Sequence, residues 1–257
     1  MLFSDKPLAG RTAIVTGSGR NIGRAMVRMF AKAGASVVVN GHRDKDAVDR
    51  VVGEIEAEGG RAIGIMADVG SPSDVNRMVA EAITAFGKVD IAISNVGVRV
   101  VQDFLKITPE DWNRVLNANL NSAFYMAQAC LPGMIERKWG RLIHVSGDDG
   151  FNAMNYTRAH NIVAKAGVHT LARVLSNAYC KHGVTINTLG IGRTDTERDW
   201  ANLPKDYKEQ AVSHVPMGRF AQPDEMAAAA LFLACDTGAF ITGAALHING
   251  GETTYAT

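Results

Sequence analysis

The sequence predicts an α/β protein built on one doubly wound parallel sheet of seven strands, with helices on both faces. Three observations carry that expectation. Short β-rich runs alternate with long amphipathic stretches from one end of the chain to the other, and strands alternating with helices pair in parallel. Several runs, such as Val37–Val39 and Ile91–Ile93, are wholly apolar, as strands covered on both faces must be. Glycines follow the helical stretches and prolines stand near their starts, which is the usual punctuation of helices.

The first strand is expected at Thr12–Thr16, leading into a helix over Ile22–Ala33. Strand Ser36–Asn40 precedes a helix over Lys45–Glu58, and strand Arg61–Met66 precedes one over Pro72–Phe86. Strand Ile91–Ser94 is followed by one long helical pattern, Pro109–Ile135. Strands Arg141–Ser146 and Val184–Leu189 flank a helix over Ile162–His182, and helix Pro223–Ala234 leads to a last strand at Ala245–Asn249. Pro72 and Pro223 fall where a missing N–H costs nothing, and Gly34, Gly59, Gly87 and Gly183 fall at left-handed cap positions. Residues 192–217 break the rhythm, carrying Thr194, Arg198, Trp200, Pro204 and Pro216 without a clean period. Such a segment is expected to be a substrate lid, the alternative being a surface excursion. Nothing reads as a repeat or linker, so residues 1–257 are taken as a single domain.

Composition narrows the function classes. With 47% hydrophobic and 21% charged residues and a net charge of +1, the chain gives no reason to expect nucleic acid or an anionic membrane as partner. Met226–Cys235, the longest apolar run, is too short to span a bilayer. Met1 through Lys6 run directly into a strand pattern, so no cleavable signal is expected. Cys130, Cys180 and Cys235 are widely spaced and form no C-x-x-C pattern. They read as buried thiols of a cytoplasmic protein, with no zinc site.

The first strand ends in Thr16-Gly17-Ser18-Gly19-Arg20-Asn21-Ile22-Gly23 and opens a helix. Glycines there let backbone approach phosphate, and the helix N-terminus offers free N–H groups. The second strand ends in Asn40-Gly41-His42-Arg43, with no acid before Asp44, whereas a carboxylate at that place would bind the ribose 2′-hydroxyl of NAD. Arg43 and Arg20 are candidates for a 2′-phosphate, Arg43 alternatively being a solvated loop residue. NADP(H) is therefore expected over NAD(H).

Further along, Asn161 is followed by Ile162-Val163-Ala164-Lys165-Ala166-Gly167. Together with the glycine loop, this segment resembles the short-chain dehydrogenase/reductase family, in particular its 3-oxoacyl-acyl-carrier-protein reductase-like branch. That family's loop reads Thr-Gly-x-x-x-Gly-x-Gly and its active-site helix Tyr-x-x-x-Lys-Ala-Gly. The resemblance implies a Rossmann fold, NAD(P)-dependent oxidoreduction of a small polar carbonyl or alcohol, and a homodimer or homotetramer. It assigns Gly17, Ser18, Arg20, Asn21, Ile22 and Gly23 to the cofactor, with Arg43, and Asp68-Val69 to the adenine. Asn95 and Gly97 of Ser94-Asn95-Val96-Gly97, Thr194, and Lys165 on the nicotinamide ribose complete that set. Asn21 replaces the loop's middle glycine but tolerates left-handed angles, and Ile191 replaces a proline of the family's Asn-x-x-x-Pro-Gly-x-x-x-Thr pattern.

Half of the reaction site departs from the family. By resemblance, Asn119 matches the proton-relay asparagine and Lys165 the catalytic lysine. Gly147, in Ser146-Gly147-Asp148-Asp149-Gly150, stands at the catalytic serine, and Asn161 at the tyrosine. An amide cannot be a general acid, and losing one typically costs about 10²–10⁴-fold in rate. Replacement candidates stay open: Tyr156 in the loop before the helix, His160, Asp148 or Asp149 at the strand end, and Ser146. His144, Asp148 and Asp149 match no strong metal-ligand spacing, so no metal is expected. Arg99, Arg193 and Arg198 are candidates to bind an anionic substrate, or are ordinary surface arginines. Trp200, Phe104 and Met217 either line an apolar wall or simply pack. Two other readings remain: a lyase, isomerase or hydratase that keeps the nucleotide, and an inactive NADP-binding scaffold or sensor. Val168, Leu171, Leu175 and Tyr179 form a stripe that faces either a partner or the chain's own sheet.

Overall fold

Alternation along each strand sorts the core into two layers. The computed structural model describes residues 5–153, 155–197 and 206–253. Seven strands, β1 (Thr12–Val15), β2 (Ser36–Gly41), β3 (Arg61–Met66), β4 (Ile91–Ser94), β5 (Gly140–Gly147), β6 (Val184–Ile191) and β7 (Ala245–Ile248), form one parallel sheet. Ala13, Val15, Val37, Val39, Ile91, Ile93, Ile143 and Val145 point into one apolar cluster, and Ile14, Val38, Ala92 and Leu142 into the other. The first layer is closed by α1 (Asn21–Lys32), α2 (Lys45–Ala57) and α9 (Pro223–Ala234). The second is closed by α3 (Pro72–Phe86), α5 (Ser122–Glu136) and α7 (Ala159–Tyr179).

The strand order is β3-β2-β1-β4-β5-β6-β7. The chain winds outward from β1 to β3, then returns to build the other half from β4. The crevice beyond the carboxyl ends of β1 and β4 is thus the switch point where open α/β sheets bind ligands. Helix punctuation is as expected: Pro72 and Pro223 sit in first turns, and Gly34, Gly59, Gly87 and Gly183 all have positive φ.

Four expectations need correction. The helix expected over Pro109–Ile135 runs without a gap to Glu136 but is not α-helical throughout: between α4 (Pro109–Leu116) and α5 it passes through a π-helical turn, Asn117–Asn121. Asn119 lies in that turn, where its amide donates to the Val115 carbonyl and to the Val98 carbonyl, both at 2.9 Å. The helix expected over Ile162–His182 begins at Ala159 and ends at Tyr179 in a 3₁₀ turn, Cys180–His182, capped by Gly183. The segment after β6 is not irregular throughout, since it contains α8 (Tyr207–Ser213), while Arg198, Trp200 and Pro204 lie outside the described residues. Cys180 is exposed, whereas Cys130 and Cys235 are buried. A further short helix, α6 (Asp149–Asn152), stands where β5 ends.

Of the stripe on α7, Val168 is buried, and Leu175 and Tyr179 pack on the core of the same chain. Among the described residues, no helix is long and apolar enough to cross a membrane.

Candidate active site

At the switch point, Thr16 ties the two central strands together. Its hydroxyl accepts from the Asn95 and Val96 N–H groups at 2.9 and 3.3 Å, and its carbonyl accepts from the Asn95 amide at 2.9 Å. Gly17 turns with φ +61° and donates its N–H to the Asn40 side chain at 3.0 Å. Ser18 is locked between β1 and β2, donating to the Val15 carbonyl and accepting from the Asn40 N–H. Gly23 allows the tight approach: a Cβ there would lie 2.5 Å from the Gly17 carbonyl and 2.8 Å from the Asn95 amide. Ile22 is buried beneath the turn.

This cradle fits a pyrophosphate. Arg20 precedes α1 without a side-chain cap, and the first turn contains no acid, so the leading N–H groups and the positive end of the helix dipole are left for an anion. Asn21 adopts φ 52° and its side-chain oxygen accepts from the Glu197 N–H at 2.7 Å, tying the segment after β6 to the loop. Arg20 and Arg43 are exposed beside it. Asp44 caps α2, its Oδ1 accepting from the Ala47 N–H at 3.0 Å. Asp68 accepts from the Gly70 N–H at 2.9 Å and keeps a half-exposed side chain, and Val69 is buried. Thr194 is buried, with its hydroxyl on the Gly192 carbonyl.

The reaction end gathers around one carbonyl. Val98 accepts from the amides of Asn119 and Asn161 at 2.9 and 3.0 Å, while its N–H donates to Asn119 Oδ1 at 3.0 Å. Gly97 lies against the same group, since a Cβ there would come within 3.6 Å of Asn119 Oδ1 and 3.8 Å of Lys165 Nζ. Lys165 is buried and donates to the Val145 carbonyl at 2.8 Å; burial lowers it to about 8. Asn119, Asn161, Gly97 and Lys165 are thus brought together. Gly147 stands open, with nothing closer to an added Cβ than the Ile191 carbonyl at 3.8 Å.

The remaining candidates are placed elsewhere. Ser146 is buried under α7, donating to the Gly147 and Lys165 carbonyls at 3.4 Å, as strand alternation directs. Tyr156 is 67% exposed on a 3₁₀ turn at the rim. His160 is fully buried, is lowered by burial, and feels Asp111 and Arg114 of α4. Asp148 turns toward β7, with Oδ1 3.3 Å from His247 Nδ1, and burial raises its carboxyl. His144 is buried, lowered to about 4, and does not converge with Asp148 and Asp149. Among the described residues, no three His, Cys, Asp or Glu side chains are grouped to hold a metal. Arg193 is bound to Glu252 at 2.7 Å, and Phe104 and Met217 are exposed.

Two features escaped the sequence reading. Arg158 meets Asp149 at 2.6 Å, and Arg99 approaches the same carboxylate oxygen at 3.6 Å. The spacing of Arg158 three residues ahead of Asn161, one helical turn, was the available signal. Second, the Phe151 ring lies between His169, tilted with centroids 3.7 Å apart, and His247, edge-on at 4.4 Å, while His169 shares a hydrogen with Thr188 at 2.7 Å. These contacts fasten α6 over β6 and β7.

Comparison with known proteins agrees with this geometry. Residues 17–253 match the family model described as enoyl-(acyl carrier protein) reductase. An acetoacetyl-CoA reductase from Allochromatium vinosum is 37% identical over 94% of this chain and 98% of its own. A 3-oxoacyl-[acyl-carrier-protein] reductase from Staphylococcus epidermidis is 31% identical over 94% and 98%. Among solved structures, a mutant of a Serratia marcescens short-chain dehydrogenase/reductase superposes with a TM-score of 0.90 at 27% identity, covering 96% of this chain and 100% of that one. The uncapped phosphate cradle, the strand order and these likenesses agree, and the chain is a member of the short-chain dehydrogenase/reductase family.

Proposed function

We propose that this chain is an NADP(H)-linked oxidoreductase that interconverts a small polar carbonyl compound and its alcohol, using Lys165 as the proton-transferring group. The carrying observation is Lys165 itself, buried, lowered to about 8, and gathered with Asn119 and Asn161 beside an intact phosphate cradle. Gly17, Ser18, Arg20, Asn21, Ile22 and Gly23 would hold the pyrophosphate end, with Asp68, Val69, Asn95, Gly97 and Thr194 along the rest of the nucleotide. Arg20 and Arg43 favour a 2′-phosphate, because the nearest acid, Asp44, is committed to capping α2.

When bound, the nicotinamide supplies or accepts the hydride. In reduction, the Lys165 ammonium gives a proton to the substrate oxygen as negative charge develops there; in oxidation, the amine takes it back. Asn161 spends one N–H on the Val98 carbonyl and has a second to polarise the same oxygen as a neutral donor. The Val98 carbonyl, held from two sides, fixes the direction of that second N–H. The segment 192–217, tethered through Asn21 and Glu197, would close the site as a substrate lid.

Homo-oligomerisation belongs to the same reading, supported by the exposed Phe124 on α5 and by Val163 and Val174 on α7. Size-exclusion chromatography at a monomer volume would contradict it. The redox assignment is tested by following substrate turnover at the nicotinamide absorbance. Product formation with flat absorbance would replace it with a lyase, isomerase or hydratase reading, and absence of nucleotide binding would leave only the scaffold.

A further inference from the structure

We propose that Arg99, set beside an Arg158 that is braced on Asp149, receives a substrate carboxylate, so that the substrate is an oxo acid or the corresponding hydroxy acid. This rests on the oxidoreductase reading above and names its substrate class.

The three side chains come from three segments, each tied to the reaction end. Arg99 follows Val98, whose carbonyl holds both amides. Asp149 precedes Gly150, which packs so closely on Lys165 that a Cβ there would lie 3.1 Å from Lys165 Cβ. Arg158 stands one helical turn before Asn161. Two guanidinium groups meet one carboxylate, leaving one positive charge.

The two arginines differ in what they have left to offer. Arg158 is nearly buried, its side chain 12% exposed, and it makes a short contact of 2.6 Å to Asp149. Arg99 is 56% exposed and stands 3.6 Å from the same oxygen, beyond direct hydrogen-bond range. Its planar fork remains available for a bidentate carboxylate. Asp149 holds Arg158 in place and at the same time competes for Arg99, which makes it the selectivity element. A neutral substrate leaves the residual charge uncompensated, whereas a carboxylate cancels it. Asp148 does not enter this balance, being turned to His247, and Arg193 is held by Glu252.

The test uses the full chain with saturating NADP⁺ and matched pairs of ligands: 2-oxobutanoate, acetoacetate and 4-oxopentanoate, each beside its methyl ester. Calorimetric binding needs no turnover, so the clamp is scored separately from the redox reading. At least one acid is expected to bind about tenfold more tightly than its ester, in keeping with a charge-assisted hydrogen bond. Arg99→Ala, at an exposed position, should bring that ratio near one, and Asp149→Asn should raise it. Arg158→Lys, which keeps the charge but loses the fork, should lower it. The proposal is overturned if no acid binds, if esters bind as well as acids, or if the ratio survives in both Arg99→Ala and Arg158→Lys. Acids that bind with the expected ratio but are not reduced by NADPH would leave the clamp standing and sink the redox reading. Equal reduction of acids and esters would do the reverse.

Discussion

A lysine taken out of water holds its proton less firmly, because burial penalises the ammonium and leaves the neutral amine untouched. Lys165 is in that position at about 8, against an ordinary value near 10.4. If it is the proton donor, reduction needs the ammonium and oxidation the amine. The reduction rate should therefore be level below about pH 8 and fall above it, while oxidation rises toward about pH 8. A profile without an inflection near that value removes Lys165 from the proton role. The same shift has a stability consequence with a definite sign. Between about pH 8 and the ordinary value, the unfolded chain binds more protons at this residue than the folded one, so stability rises with pH across that window. Below about pH 8 the full penalty applies, about 3 kcal/mol by the pKa difference. Lys165→Met should abolish turnover and melt higher than the parent at pH 7, with the gap narrowing by pH 9.5. A parent that melts higher than the variant at pH 7 would show that the charge is not penalised. Beside it, Gly147 has room for a larger residue. Asn161→Tyr combined with Gly147→Ser is accordingly expected to introduce reduction of simple ketones, measured at 340 nm, and to lose activity on the native substrate, where the Asn161 donor is absent.

At the scale of elements, the π-helical turn does what a straight helix could not: it turns one amide onto two chain segments. Asn119 satisfies the Val98 N–H, the Val98 carbonyl and the Val115 carbonyl at once. Asn119→Leu, of similar size, strands the Val98 N–H and removes the side-chain donor from the Val115 carbonyl where residue 119 is 2% exposed, while the Val98 carbonyl keeps the Asn161 amide. It should cost about 2–4 kcal/mol in urea unfolding, since each stranded buried group costs about 1–3. A loss below 1 kcal/mol would mean that water replaces the amide. This turn was illegible in sequence because the apolar period runs through it and the deciding partner, Val98, is 21 residues away. The caps were legible because they are local: Gly87 and Gly183 each need only a left-handed angle at a helix end. Arg158 fell between the two cases. It sits in a turn with no period, and its partner Asp149 comes within reach only once α6 has formed and Phe151 is wedged between His169 and His247.

For the whole molecule, the sheet order decides where charge can be recognised. Reversal at β1 and β4 places the glycine loop, the end of β2 and the reaction end along one edge of the sheet, and in the proposed reading a dinucleotide runs from Arg43 toward Lys165. The glycine turn was readable from sequence because its close packing is backbone geometry: a Cβ at Gly23 would lie 2.5 Å from the Gly17 carbonyl. The proposed preference for NADP(H) over NAD(H) rests instead on a balance of side chains: Asp44 Oδ1 capping α2, Arg20 and Arg43 exposed. Calorimetric titration should therefore show NADPH binding at least about tenfold more tightly than NADH, as charge-assisted contacts to one phosphate allow. At a hundred times its dissociation constant, NADPH should stabilise the fold by about 2.7 kcal/mol, readable as a rise in melting temperature that NADH at equal concentration does not match. Arg43→Ala should shrink the NADPH advantage without weakening NADH, because NADH has no 2′-phosphate to lose. If both nucleotides weaken together, Arg43 supports the loop rather than reading the phosphate. If NADH binds as tightly as NADPH in the parent, the capping of α2 by Asp44 does not exclude a ribose contact, and the cofactor assignment reverses.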